Sequence, residues 1–235
     1  MVASVNTPGY DSKQLVMDVV ENRVQQKDFF LSLKEDWLRQ LDLYLLKKGE
    51  PFFVKPLDLS CHINEARIEE ERARAYDVKK QSPDPLTRLV KKRKANLIDL
   101  YKPKADSDLH IKLYQMRKKH KLRACPSCGE DGAPGTLDHY LPKEVFPELS
   151  ICFQNLTPMC DQCQWKKGTD YIGSTGRKRF FHPYYDEIND CFFHIKITPP
   201  YDAPKQFEFQ IVRCESKHLK TLISHVICVG LQDRT

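Results

Sequence analysis

The chain contains no run of eighteen or more apolar residues, so no stretch of it reads as a membrane span. Internal repeats and low-complexity tracts are also missing, which sets repeat architectures aside. Its first residues, MVASVNTPGYDSKQ, lack a positive n-region followed by an apolar h-region. No secretory leader is expected, and the thiols are expected in the reducing cytoplasm, where structural disulfides are rare. A surplus of acid is absent too: the formal net charge is +6, a mild argument for an acidic partner. A chain of 235 residues buries adequate cores as one large domain or two small ones without help from cross-links.

What is present is concentrated in one place. Cys125 and Cys128 form one CxxC pair, and Cys160 and Cys163 form a second. Zinc in a structural site takes four tetrahedral ligands, and a CxxC turn lets two thiolates converge on one ion. In CPSCG a glycine follows the second cysteine, where a metal-binding knuckle needs a left-handed backbone. Four buried or disulfide-bonded cysteines are the alternative, but that reading fits an oxidising compartment better than a reducing one. Two pairs at this spacing predict a structural zinc clamp.

Between the pairs runs TLDHYLPKEVFPELSICFQNLTPMC, which carries Asp138, His139 and Asn155. The order CxxC, DH, LPK, FP, NL, P-C-x-x-C, K-G over Cys125 to Gly168 resembles the HNH endonuclease superfamily. The resemblance implies an α+β fold whose centre is a ββα-metal core. A helical N-terminal region precedes that core, and a β-hairpin and C-terminal helix follow it. It further implies that His139 is the general base toward water, a task suited to an imidazole of near-neutral pKa. Asp138 matches the metal-ligand carboxylate. Asn155, counted with these catalytic positions, matches an Asn that pins the loop and orients the base. The implied catalytic ion is Mg or Mn, which suits an oxygen-rich site and would neutralise charge on the phosphate and the 3′ leaving oxygen. Adjacent strand residues face opposite ways, so Asp138 and His139 serve together only if the strand ends there, as Leu141-Pro142 predicts.

The sequence departs from the family directly after the last cysteine, where Gln164 replaces the usual Asn or His ligand. Its extra methylene displaces the amide oxygen by roughly 1.5 Å. Gln164 as a ligand with adjusted geometry, Gln164 holding a metal-bound water, a ligand supplied by His182, and a decayed site all remain open. His182, in RFFHPYYDE, is otherwise a core position in an aromatic-rich turn.

Outside this segment the expectations are mainly architectural. Residues 1–85 read as helical, with helices near 11–26, 27–48 and 64–80 serving either packing or a partner interface. In 27–48, Phe30, Leu33, Trp37, Leu41, Tyr44 and Leu45 recur at helical spacing until Gly49. Residues 86–124 form a basic helical segment, with thirteen Lys or Arg against three Asp between residues 88 and 123. Its clusters at Lys91, Lys92, Arg93, Lys94, Arg117, Lys118, Lys119 and Lys121, with Lys166 and Lys167 beyond the clamp, are expected to track phosphates, or else to form solvated helix faces. The nuclease-like core is assigned to 125–182. In 183–235, residues 191–198 and 206–212 alternate apolar with polar and predict a hairpin, before a helix in HLKTLISHVICVGL. The chain ends soon after, which leaves little room for a further domain. Cys61, Cys152, Cys191, Cys214 and Cys228 are expected as buried thiols.

The whole arrangement is most similar to HNH proteins that work beside an ATPase in Septu-type bacterial antiphage systems, some of which accompany retrons and their reverse transcriptase. This similarity implies a nucleic-acid substrate, DNA or RNA such as tRNA, and an ATPase partner that restrains the nuclease. A zinc-dependent nucleic-acid-binding or assembly module without catalysis is the competing expectation. A homing or restriction-type HNH enzyme acting alone is a third.

Overall fold

The computed structural model describes residues 5–75, 84–173, 176–187, 193–202, 207–211, 221 and 224–225. Among these residues the fold is mixed α+β, with six α-helices and two small two-stranded antiparallel sheets. No described helix is long and apolar enough to cross a membrane.

Helix α1 (Ser12–Glu21) starts where the Asp11 carboxylate accepts from the Lys13 and Gln14 amides, satisfying two donors that the first turn leaves open. Helix α2 (Lys27–Leu46) carries the apolar stripe: Phe30, Leu33, Trp37, Leu41 and Tyr44 are all fully buried. Each such side chain contributes about 1.5–3 kcal/mol on leaving water. Gly49, at φ +69°, ends the stripe by donating its N–H to the Tyr44 carbonyl at 2.9 Å. A β-carbon there would meet Tyr44 and His182 at 3.0 Å, so this turn requires glycine.

Helices α3 (Glu65–Ala75), α4 (Pro85–Asp99) and α5 (Asp108–Lys118) complete the helical part. Asp84 and Ser107 cap the last two, and Pro85 occupies the first helical position of α4. The expected third helix thus begins at Glu65, and residues 76–80 lie outside the described part.

Strand β1 (Thr136–His139) pairs antiparallel with β2 (Leu156–Met159), and helix α6 (Asp161–Lys167) follows directly. The helical region packs onto this ββα unit, and one apolar cluster runs continuously from Leu15 to Phe180. Trp37 Nε1 donates to the Glu148 carbonyl at 2.6 Å, and Ser12 Oγ accepts from the Phe153 amide at 2.9 Å. The stripe of α2 is therefore core. Strands β3 (Phe193–Ile197) and β4 (Phe207–Ile211) pair antiparallel as the alternation predicts. The expected final helix lies mostly outside the described residues, although His225 is described and buried. Of the five other cysteines, Cys152 is buried and Cys61 is exposed, a correction for Cys61; the remaining three lie outside the described residues.

Candidate functional site

The two CxxC pairs meet. The four sulfurs of Cys125, Cys128, Cys160 and Cys163 lie within 4.8 Å of one another, with Cys128 and Cys160 3.9 Å apart. Tetrahedral zinc with bonds of about 2.3 Å places its sulfurs about 3.8 Å apart, so the cluster fits that ion. The Cys125 sulfur takes hydrogen bonds from Cys128 and Cys163, which lowers its own pKa and raises theirs, Cys128 to about 11. A divalent cation resolves this crowding by holding all four as thiolates. Backbone groups support the knuckle: Gly129 N donates to the Cys125 carbonyl at 2.8 Å, and Cys160 N to the Cys125 sulfur at 3.4 Å. From the far end of the chain, His225 Nε2 donates to the Ser127 carbonyl at 2.8 Å.

Inside the clamp, β1 ends at His139 as expected, and both Asp138 and His139 are about 95% buried. His139 Nε2 lies 2.9 Å from the Ser150 carbonyl, which can only accept. That bond fixes the tautomer, with Nε2 protonated and Nδ1 left as the basic atom. Tyr101 packs edge-on against the ring at 4.6 Å. Burial, and then the charge of Lys143, push the His139 pKa down to about 3, well below the near-neutral value expected of the base, so the ring is neutral at physiological pH. Ser150 in turn donates its hydroxyl to the Leu97 carbonyl at 2.6 Å, tying the imidazole's support to α4.

Asp138 occupies the other face of the strand. Its Oδ2 lies 3.0 Å from Lys167 Nζ, but the contact lacks hydrogen-bond alignment, and that oxygen has no hydrogen-bond partner among the described residues. Burial raises its pKa, and Lys167 opposes the shift. Directly across the ladder stands Thr157, whose buried hydroxyl has no hydrogen-bond partner among the described residues. Paired residues of an antiparallel ladder share a face, so the ion-paired Asp138 carboxylate and the Thr157 hydroxyl sit on one side of the hairpin. This donor set fits a small, hard cation. Gln164 Nε2 donates to the Leu137 carbonyl at 3.2 Å, which leaves Oε1 as its atom for any ion.

Asn155 touches no reacting group. Its Oδ1 accepts from Leu141 N at 2.8 Å, and its Nδ2 donates to the Leu141 and Leu149 carbonyls at 2.9 and 3.2 Å. It pins the loop between the strands, and that loop carries Ser150.

Three expectations need correction. His182 is no ligand: its Nδ1 accepts from Tyr184 N at 3.2 Å and its Nε2 faces the Tyr44 hydroxyl at 2.9 Å, so both nitrogens are used in the core. Lys167 does not track phosphate: it is 2% exposed, held by Asp138 and by the His139 carbonyl at 2.8 Å. Arg93 is likewise buried, with its guanidinium 5.1 Å over the Phe29 ring. Of the remaining basic residues, Lys91, Lys118, Lys119 and Lys121 are exposed, while Lys94, Arg117 and Lys166 are partly so. Lys92 is exposed but paired with Glu71 at 2.9 Å.

The sequence reading missed Thr157, Lys143 and Trp165. Thr157 was legible only through the register. Lys143 sits in the LPK motif and bears electrostatically on both Asp138 and His139. Trp165 is 83% exposed on α6, one residue from Gln164.

Over 69 residues, 29% of this chain, the sequence is 35% identical to protein ea31 of Escherichia phage lambda, covering 23% of that protein. Over 33 residues, 14% of this chain, it is 46% identical to Septu protein PtuB of Bacillus thuringiensis, covering 13% of that protein. The chain thus aligns with less than a quarter of either relative. No protein-family model and no solved structure matches it.

Proposed function

We propose that this chain is an HNH-type endonuclease that hydrolyses nucleic-acid phosphodiester bonds and serves as the effector of an antiphage system restrained by a partner ATPase. The observation that carries the reading is the β-hairpin and helix enclosed by the cysteine cluster, with Asp138 and a tautomer-fixed His139 at the end of β1. The short similarity to Septu protein PtuB supports the defence setting.

In this reading His139 Nδ1 takes a proton from water as its oxygen attacks phosphorus; the P–O3′ bond breaks and the leaving oxygen takes a proton from solvent. Asp138, Thr157 and Gln164 would hold a Mg or Mn ion, which supplies positive charge to the phosphate when bound. Ser150, Asn155 and Tyr101 keep the imidazole in place, and Lys143 and Lys167 add cationic field around it. Trp165 offers an exposed ring for stacking on an unpaired base.

One observation favours the non-catalytic alternative: the Lys167 ammonium already lies against the carboxylate that a metal would need. Two measurements on one preparation separate the readings. Trp37 is fully buried and Trp165 exposed, so titration with single-stranded DNA or RNA should quench the exposed fluorophore in either case. Cleavage in Mg or Mn, abolished by omitting the ion and by Asp138→Asn, supports the nuclease. Quenching without cleavage, with the ATPase partner present and activated and one zinc per chain, supports the binding module.

A further inference from the structure

A cavity of about 410 Å3 opens among α2, α3 and α4, and none of its lining residues comes from 125–182. Arg93 forms part of its wall. Arg93 is 9% exposed, its Nε is buried without a hydrogen-bond partner among the described residues, and the Phe29 ring is its ordered neighbour. The carboxylates of the lining are Asp28, Glu70 and Glu71. Glu71 is taken by Arg88 and Lys92 at 3.1 and 2.9 Å, and Glu70 by Arg67 at 2.9 Å. None of the three pairs with Arg93 among the described residues. Arg67 and Arg93 line the same cavity, and burial, then the nearby charge of Arg67, hold the Arg93 pKa below its ordinary value.

An arginine taken out of water without a counter-charge is costly, and folds keep such groups where an anion completes them. A planar fork beside a second guanidinium suits the oxygens of a phosphoryl group. The volume lies in the range of small-molecule sites, and Phe29, Ile63 and Leu89 supply apolar wall beside the charges. We propose that this cavity binds the phosphoryl group of a small phosphorylated ligand of nucleotide size through Arg93 and Arg67. The proposal does not depend on the nuclease reading.

Calorimetric titration of the full chain with AMP, ATP and inorganic phosphate tests it, on the parent, Arg93→Met and Arg67→Gln. The parent should show saturable binding, weakened about tenfold or more in each variant, as expected for loss of a charge-assisted hydrogen bond. Without ligand, Arg93→Met should melt no lower than the parent, because Met keeps contact with Phe29 and removes an unpaired charge. Tighter binding of AMP than of inorganic phosphate supports a nucleotide, and equal affinity supports the phosphoryl group alone. No saturable binding of any of the three probes, or parent-like affinity in both variants, would overturn the proposal. A markedly lower melting temperature for ligand-free Arg93→Met would remove its premise, and Arg67→Gln then still reports on binding.

Discussion

Lys167 and Arg93 are both withdrawn from water, yet the two regions that hold them treat the charge in opposite ways. At the hairpin, Lys167 meets the Asp138 carboxylate and donates to the His139 carbonyl. At the helical cavity, Arg93 meets an aromatic ring and a second cation. A buried charge with a partner is part of the architecture, and a buried charge without one points to something that binds there. The difference separates a buried cation that its own fold has paired from one that awaits an anion.

The largest expected effect comes from breaking the completed pair. Lys167→Met leaves Asp138 as an uncompensated buried carboxylate and should cost about 3–5 kcal/mol in urea unfolding, whereas Arg93→Met should cost nothing or stabilise. The double variant Lys167→Met/Asp138→Asn should recover much of the loss. Equal destabilisation by Lys167→Met and Arg93→Met would erase the contrast.

A third buried charge sharpens it. Glu148 is fully buried, its Oε1 accepts from Gln40 and the Leu57 amide, its Oε2 has no hydrogen-bond partner among the described residues, and burial raises its pKa to about 7. A carboxyl whose folded pKa is raised carries its stability below the unfolded value and loses it as pH rises through the folded one. Glu148→Gln should therefore gain up to about 3 kcal/mol above pH 7 relative to the parent and nothing below about pH 4.5. A pH-independent difference between the two would contradict this.

The smallest expected effect concerns His139. With its pKa pushed down to about 3, its contribution is complete above the unfolded value near 6.5 and is lost as pH falls toward 3. At pH 5 its protonation deficit costs about 2 kcal/mol, so an otherwise folded His139→Gln chain should lose less stability than the parent between pH 7 and pH 5. His225, lowered to about 4 by burial, adds a parallel background in both chains.

Much of the hairpin region was legible because its chemistry depends on residue type and spacing. The paired cysteines and the strand end before Leu141-Pro142 follow from such local signals, whereas the pinning by Asn155 was implied only by the resemblance to HNH endonucleases. The fate of the lysines and arginines was less legible, since a basic run expected to track phosphates, or else to form a solvated face, does not by itself say which of its members turn inward. A finer signal existed: Arg93 lies four residues from both Leu89 and Leu97, on the buried side of α4, and Lys167 lies four residues after Cys163. His182 shows the reverse limit. Its environment is made by Tyr44, Tyr184 and Gly49, and nothing near it in sequence reveals Tyr44 or Gly49 as neighbours.

The most direct test of the account is single-turnover cleavage of DNA and RNA by the parent and His139→Ala chains, at matched zinc content and with Mg or Mn and the activated partner present. Loss of a positioned general base should slow cleavage by about 10²-fold or more while nucleic-acid binding persists. Equal cleavage by both chains would contradict the assignment of His139 as the base.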